Sequence, residues 1–317
     1  MPIYWSMMIV SGVIGLLCYG MPSKKVIVEG QETTRVRIGF VVVFVAYIVF
    51  FIGFRDRVLD TGTYINSFKS MPTDFTELFI YLEAIDNGKV FYFLSAVFKM
   101  FISDNYYAWL FFLALVSCGC LFRTLYKYSV DFPLTAYLFI ANATFTWLLN
   151  GTRQFLVVCV LFGFADWIIE GKKIRYILLT LVLSTIHSSA IFMVVIVLFI
   201  SVNDIFTKKM LFFVAVTVIG TYYSDQVFDF LSESSESLNY ADTMGVDGGA
   251  SILHLIIASV PIVIVLLNYR NVKRIAPQSI KLAINMNLVG ICFYFAATFT
   301  NGVLVGRMPI YFTVYGL

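Results

Sequence analysis

Residues 133–169 read "PLTAYLFIANATFTWLLNGTRQFLVVCVLFGFADWII", two apolar runs that meet at the short polar turn "NGTRQ", residues 150–154. Each run is about as long as a membrane-spanning helix needs to be. In hydrocarbon every backbone N–H and C=O must find a partner within its own segment, so the pair predicts two helices crossing a bilayer in opposite directions. The rest of the chain agrees. Of its 317 residues 60% are hydrophobic and 13% charged, with a mean hydropathy of +0.87, whereas a globular domain is roughly half apolar and about a quarter charged. A soluble fold is excluded by this composition. The prediction is an all-α, polytopic integral membrane protein forming one domain over 1–317. The opening "MPIYWSMMIVSGVIGLLCYG" has no basic leader and reads as a retained first helix. The five cysteines all lie in apolar runs without paired ligand spacing, so they read as packing residues.

Loop charge orients the chain, because basic loops favour the cytoplasmic side. The segments "PSKKVIVEGQETTRVR", "RTLYKYSVD", "EGKKIR", "NDIFTKK" and "YRNVKRIAPQSIK" hold 15 of the 22 Lys and Arg and are predicted cytoplasmic loops. The acid-rich regions 55–89 and 224–249, with Asp104, hold 13 of the 19 Asp and Glu and are predicted to lie outside. Alternation then gives about eleven crossings with the N-terminus outside, and it forces two unusual elements. Residues 88–102 must be re-entrant or interfacial on the outer side. Residues 174–202, about 43 Å as one helix, exceed the ~30 Å core and must break at "HSS" (187–189), which leaves His187 at an apex below the outer surface. The final run from about residue 303 reads as an incomplete span.

In this topology the charged groups that are costly in a membrane gather at the outer level: Arg55, Arg57 and Asp60 after the second span, Arg153 in "NGTRQ", His187 at the break and Arg307 at the last segment. Arginines at outer helix ends run against the loop-charge trend, and an anionic ligand supplies a reason. Thr152 is predicted to cap the helix after Gly151. Its free N–H groups, the helix dipole and the planar donors of Arg153 then suit a phosphate or diphosphate. The plainer alternative is that Arg153 snorkels to lipid headgroups. The run Asp60–Met71 has helical apolar spacing and stops at Pro72, predicting a surface helix begun by Asp60, as its cap, as a catalytic base, or as both. His187 is a proton carrier or a charged phosphate donor, or else a packed, hydrogen-bonded histidine. His254 reads as packing. Gly-rich phosphate loops, HExxH, GxSxG and DxD pairs are absent from the sequence, and the acidic stretch 225–247 reads as a solvated loop. No metal site, cofactor or nucleic-acid partner is expected.

The ordered set "GFRDRVLDTGTYINSF", "NGTRQFLVVCVLFGF", "EGKKIR" and "LSTIHSSAIFMVVIVLFI", over roughly residues 38–202, resembles the EpsG family of Wzy-like bacterial exopolysaccharide polymerases, GT-C-like membrane glycosyltransferases. The resemblance implies an inverting, metal-independent enzyme of the bacterial cytoplasmic membrane. It would join undecaprenyl-diphosphate-linked oligosaccharide units into exopolysaccharide, capsule or O-antigen at the outer face, with a chain-length regulator as an open partner. Carried over by position, Arg55, Asp60, Tyr64, Arg153, Gln154, His187 and Ser188 match the family pattern, whereas Asp56 and Arg57 are an extra charge pair. The roles expected are Asp60 or His187 as base and Arg55, Arg57, Arg153 and Arg307 around the diphosphate. Tyr64, Asn150, Gln154 and Ser188 would contact substrate. Rival readings are a flippase of the same lipid-linked sugars, an O-antigen ligase, or a polyprenyl-phosphate-sugar glycosyltransferase.

Overall fold

The computed structural model describes residues 2–20, 23–56, 58–223, 251–300 and 305–317. The backbone packs as two compact units, Met1–Val197 and Leu198–Leu317. Arg57, the acidic stretch 225–247 and the start of the last segment lie outside the described residues.

The first unit opens with helix α1 (Pro2–Tyr19) and then departs from the all-helical expectation. Strands β1 (Lys24–Val28) and β2 (Gln31–Arg35) form an antiparallel hairpin, with Val26 opposite Thr33 and Ile27 opposite Glu32. Its two-residue turn, Glu29-Gly30, has φ of 48° and 80°, the left-handed pair that suits the twist of a tight hairpin. Next come α2 (Ile38–Gly53), α3 (Thr61–Ser70), α4 (Phe75–Glu83), α5 (Lys89–Phe101) and α6 (Tyr106–Tyr128). The predicted span 133–149 is not one helix: α7 (Phe132–Ala141) ends early, Ala143 turns left-handed at φ 55°, and Thr144–Leu148 is a 3-10 turn. Then follow α8 (Thr152–Gly163) and α9 (Asp166–Ile169), which together form one 18-residue apolar stretch.

The break at "HSS" is present. Helix α10 (Lys173–Ser184) stops, His187 adopts an extended backbone, a 3-10 turn covers Ser188–Ile191, and α11 (Phe192–Phe199) follows. Helix α5, at about 20 Å, is shorter than the ~30 Å core. The second unit contains helices Lys208–Tyr222, Ile252–Leu267, Tyr269–Ile275, Gln278–Phe299 and Ile310–Thr313. Among the described residues three helical stretches are long and apolar enough to cross a membrane: Tyr106–Tyr128, Thr152–Ile169 and Gln278–Phe299. A fourth is present if the pair Ile252–Leu267 and Tyr269–Ile275, bent by 84°, counts as one. Four shorter apolar helices stand where other crossings were expected.

Helix α6 is the axis of the first unit. A Cβ on Gly53 of α2 would lie 2.9 Å from the Phe111 Cα, and one on Gly163 of α8 would lie 2.8 Å from the Cys120 Cβ. Both glycines therefore let a neighbouring helix approach α6 more closely than a side chain would permit. At the start of α6, Trp109 stacks on Phe68 of α3 with centroids 4.7 Å apart and donates to the Ser95 Oγ of α5 at 3.2 Å. Trp109 and Phe68 are fully buried. This aromatic cluster fixes the two short helices against a long apolar one, and so fixes the residues just before α3.

Candidate functional site

Arg55, two residues past α2, is 5% exposed and turns inward. Its Nε donates to the Thr61 Oγ1 at 2.8 Å, Nη1 to the Leu148 carbonyl at 2.7 Å and the Ile52 carbonyl at 3.4 Å, and Nη2 to the Thr152 Oγ1 at 2.8 Å. One guanidinium thus joins the end of α2, the first residue of α3, the 3-10 turn and the first residue of α8. The break in the predicted span 133–149 is what presents the Leu148 carbonyl to it. Burial pulls the Arg55 pKa down to about 10, with Asp60 opposing the shift, so the group stays charged at neutral pH.

Asp60 precedes α3 but makes no side-chain bond to that helix. Its Oδ2 accepts instead from the backbone N–H of Gly151 at 2.8 Å, where α8 begins. The cap expected from Thr152 is absent because Thr152 is already the first helical residue and Gly151, at φ 69°, holds the N-cap position; the Thr152 hydroxyl accepts from Arg55 instead. A carboxylate therefore sits at the positive end of α8, a favourable place for an anion. The same helix end thereby has less to offer a phosphate than the sequence suggests. The other carboxylate oxygen, Oδ1, is buried and has no hydrogen-bond partner among the described residues.

Arg153 is held differently from Arg55. Its backbone N–H reaches the Tyr64 hydroxyl at 3.4 Å, its Nη1 donates to the Asn87 carbonyl at 2.9 Å, and its guanidinium lies 5.6 Å from the centre of the Tyr92 ring. The Arg153 Nε is buried without a partner among the described residues. Burial raises the Tyr64 phenol above its ordinary pKa, so it keeps its proton. Gln154 is buried, and its Nε2 donates to the Ser189 Oγ at 3.4 Å, linking the start of α8 to the turn that follows His187. His187 is half-buried and engaged, Ser188 is exposed, and Asn150 is half-buried with its N–H on the Thr146 carbonyl. The structure thus brings Arg55, Asp60, Tyr64 and Arg153 together around Gly151. Arg307 belongs to the second unit, is exposed, and is itself engaged.

A model of the EpsG family matches residues 38–317. The chain belongs to the EpsG family. No curated protein and no solved structure matches it. The EpsG match begins at Ile38, the first residue of α2, and contains every residue of the site just described. Membership and the apolar helices together support a membrane protein of polysaccharide biosynthesis.

In this EpsG-family chain the site also uses residues that sequence patterns did not single out: Thr61, Gly151, Asn87, Tyr92 and above all Gly88. Gly88 has φ 78°, and a Cβ there would lie 2.4 Å from the Arg153 Nη1 and 2.8 Å from the Ile186 carbonyl oxygen. The only local hint is the Asn-Gly pair at 87–88, a turn signal. Gly171, with φ 74° and nothing within 4 Å of its would-be Cβ, carries similar backbone strain without the collision. Left-handed backbone costs a non-glycine residue about 1–3 kcal/mol. Gly88→Ala is therefore expected to cut polymer yield per inserted protein by at least about tenfold, Gly171→Ala much less. Equal yields from the two variants, measured after quantifying each in membranes, would show that Gly88 serves the turn and not Arg153.

Proposed function

We propose that this chain polymerises lipid-linked oligosaccharide repeat units by inverting glycosyl transfer, with its site facing outward from the cytoplasmic membrane. The observation that carries the reading is a pair of buried polar atoms of opposite character, Asp60 Oδ1 and Arg153 Nε, that have no partner among the described residues. Their residues are tied to one another's elements: the Asp60 Oδ2 accepts from the Gly151 N–H, and the Arg153 N–H donates to the Tyr64 hydroxyl. A buried acceptor and a buried donor left open are costly unless a ligand meets them.

Glycosyl transfer needs both. The acceptor sugar hydroxyl attacks the anomeric carbon of the donor unit and loses its proton, which Asp60 takes at Oδ1. The bond from that carbon to the diphosphate oxygen breaks, and the leaving undecaprenyl diphosphate departs with the electron pair, its growing charge met by Arg153. Tyr64 retains a hydroxyl proton to donate to a sugar or phosphate oxygen. Arg55, whose three side-chain nitrogens each reach a protein acceptor, is assigned the task of holding α3 and α8 in register. Gln154, Ser188 and His187 border the site on the side of the broken helix. The outward orientation rests on the acid-rich loops and the basic opposite loops. Leaving-group charge is assigned to arginine without a metal.

The test is to supply purified protein in nanodiscs with a lipid-linked repeat unit, with and without chelator. A ladder of products that survives chelation is expected. A ladder abolished by chelator and restored by a divalent cation would overturn the metal-free assignment. Transfer of one unit to a lipid A core or of a single sugar would favour the ligase or the sugar transferase, and lipid movement across a vesicle without product would favour the flippase.

A further inference from the structure

Away from the site, α2 and α6 run antiparallel and are pinned at both ends. Gly53 lies against Phe111 at one end, and the Tyr126 hydroxyl donates to the Val36 carbonyl at 3.0 Å at the other. Between these pins the outward faces of the two helices leave a trough of about 580 Å³. Its wall is apolar over nearly its whole length, and several large side chains lining it stay exposed, among them Val42 at 58%, Phe50 at 56% and Leu115 at 49%. Two small residues line it from facing helices, Ala46 and Gly119, and a Cβ on Gly119 would meet nothing within 4 Å. The trough is therefore a preformed space that no side chain of the described residues fills.

One end differs from the rest. Arg123 is the charged residue among those lining the trough, and Tyr126 lies beside it. The Arg123 Nη1 donates to the Gly163 carbonyl at 2.6 Å and Nη2 to Asp166 at 3.2 Å, yet the side chain is 58% exposed. Its position is fixed while much of its surface remains open. Along α2 the lining runs from Ile38 to Phe50, about 18 Å, close to one leaflet of a ~30 Å hydrocarbon core. A long apolar channel one leaflet deep, closed by a fixed cation at one end, complements a hydrocarbon chain carrying a negative headgroup.

We infer that the α2–α6 trough is a binding site for an anionic bilayer phospholipid, its acyl chain lying over Ala46 and Gly119 and its phosphate at Arg123. The inference does not depend on the proposed chemistry, whose residues lie at the opposite end of α2. Charge at one end only argues for a lipid and against a second copy of the chain, which would have to cover the whole apolar length.

Native mass spectrometry of the full chain, delipidated in mild detergent and titrated with phosphatidylglycerol or phosphatidylcholine of matched acyl chains, tests it. One phosphatidylglycerol per chain is expected, favoured over phosphatidylcholine about fivefold, the worth of one cation near an anionic headgroup. Gly119→Leu fills the trough and should weaken both lipids at least about fivefold. Arg123→Gln should bring phosphatidylglycerol down to the phosphatidylcholine level; Lys127 and Tyr128 still hold Asp166 in that variant. Unchanged lipid binding by Gly119→Leu, an undiminished headgroup preference in Arg123→Gln, or a dimer that binds no lipid would overturn the inference. Should Gly119→Leu not yield monodisperse protein, Ala46→Leu introduces similar bulk from the facing helix and is scored by the same outcomes.

Discussion

Arg153→Ala is expected to leave an inserted, folded protein that makes no measurable polymer. The expectation rests on how few protein bonds the Arg153 side chain makes. Among the described residues it has one protein acceptor, the Asn87 carbonyl, and a ring face at Tyr92, while its buried Nε meets no partner. Losing one such bond costs about 0.5–3 kcal/mol of stability, the upper end applying to charged donors. A fixed donor aimed at charge that develops on a leaving group is worth more to the rate, about 10²- to 10³-fold by analogy with oxyanion donors. Arg153→Lys keeps the charge but loses the planar fork, and should recover only part of the activity. The measurements are polymer amount and length per inserted protein, with thermal unfolding in detergent beside them. Normal polymer from Arg153→Ala would sink the assignment; a collapse of stability together with activity would move Arg153 into the structural role that Arg55 holds. Arg55 supplies the contrast, since its three nitrogens all reach protein acceptors.

What the sequence showed of this arrangement follows the range of the interactions involved. The helical membrane class was legible because composition and run length act locally and at every position. The break before the 3-10 turn at Ser188 was legible because 174–202 is too long for one crossing and a polar "HSS" stands at its centre. Two local signals were present and passed over. "KKVIVEGQETT" carries β-branched residues about a Glu-Gly turn, but its lysines led to a loop assignment, and it forms the hairpin. The "NAT" at 142–144 interrupts the predicted span 133–149, yet apolar count carried the prediction across it. The site was legible as a set of residues and not as a set of bonds. Asp60 meets Gly151 across 91 positions and Arg55 meets Thr152 across 97, so no local pattern could show that the carboxylate caps α8 and not α3. Gly88 was invisible for a related reason: what makes it necessary is the Arg153 side chain, 65 residues further along the chain.

Asp60→Asn is expected to lower the polymerisation rate about 10²- to 10⁴-fold, the range for loss of a positioned general base, with little loss of folded protein. The substitution separates the two tasks of the carboxylate. An amide oxygen can still accept the Gly151 N–H that Oδ2 accepts at 2.8 Å, and the change of charge at the start of α8 costs about 0.3–1 kcal/mol. What the amide cannot do is take a proton from the attacking hydroxyl. The choice of Asp60 over His187 rests on the unpartnered, buried Oδ1, whereas His187 is already engaged and enters the turn after α10 through its backbone bond to Leu183. The comparison is the product ladder from a lipid-linked unit, timed for Asp60→Asn and His187→Gln at equal protein. A slow Asp60→Asn beside a His187→Gln of nearly normal rate supports the carboxylate as base. A wild-type rate in Asp60→Asn would reduce Asp60 to the cap of α8 and pass the proton to His187, whose neighbouring Ser189 is joined to Gln154 in the same helix start.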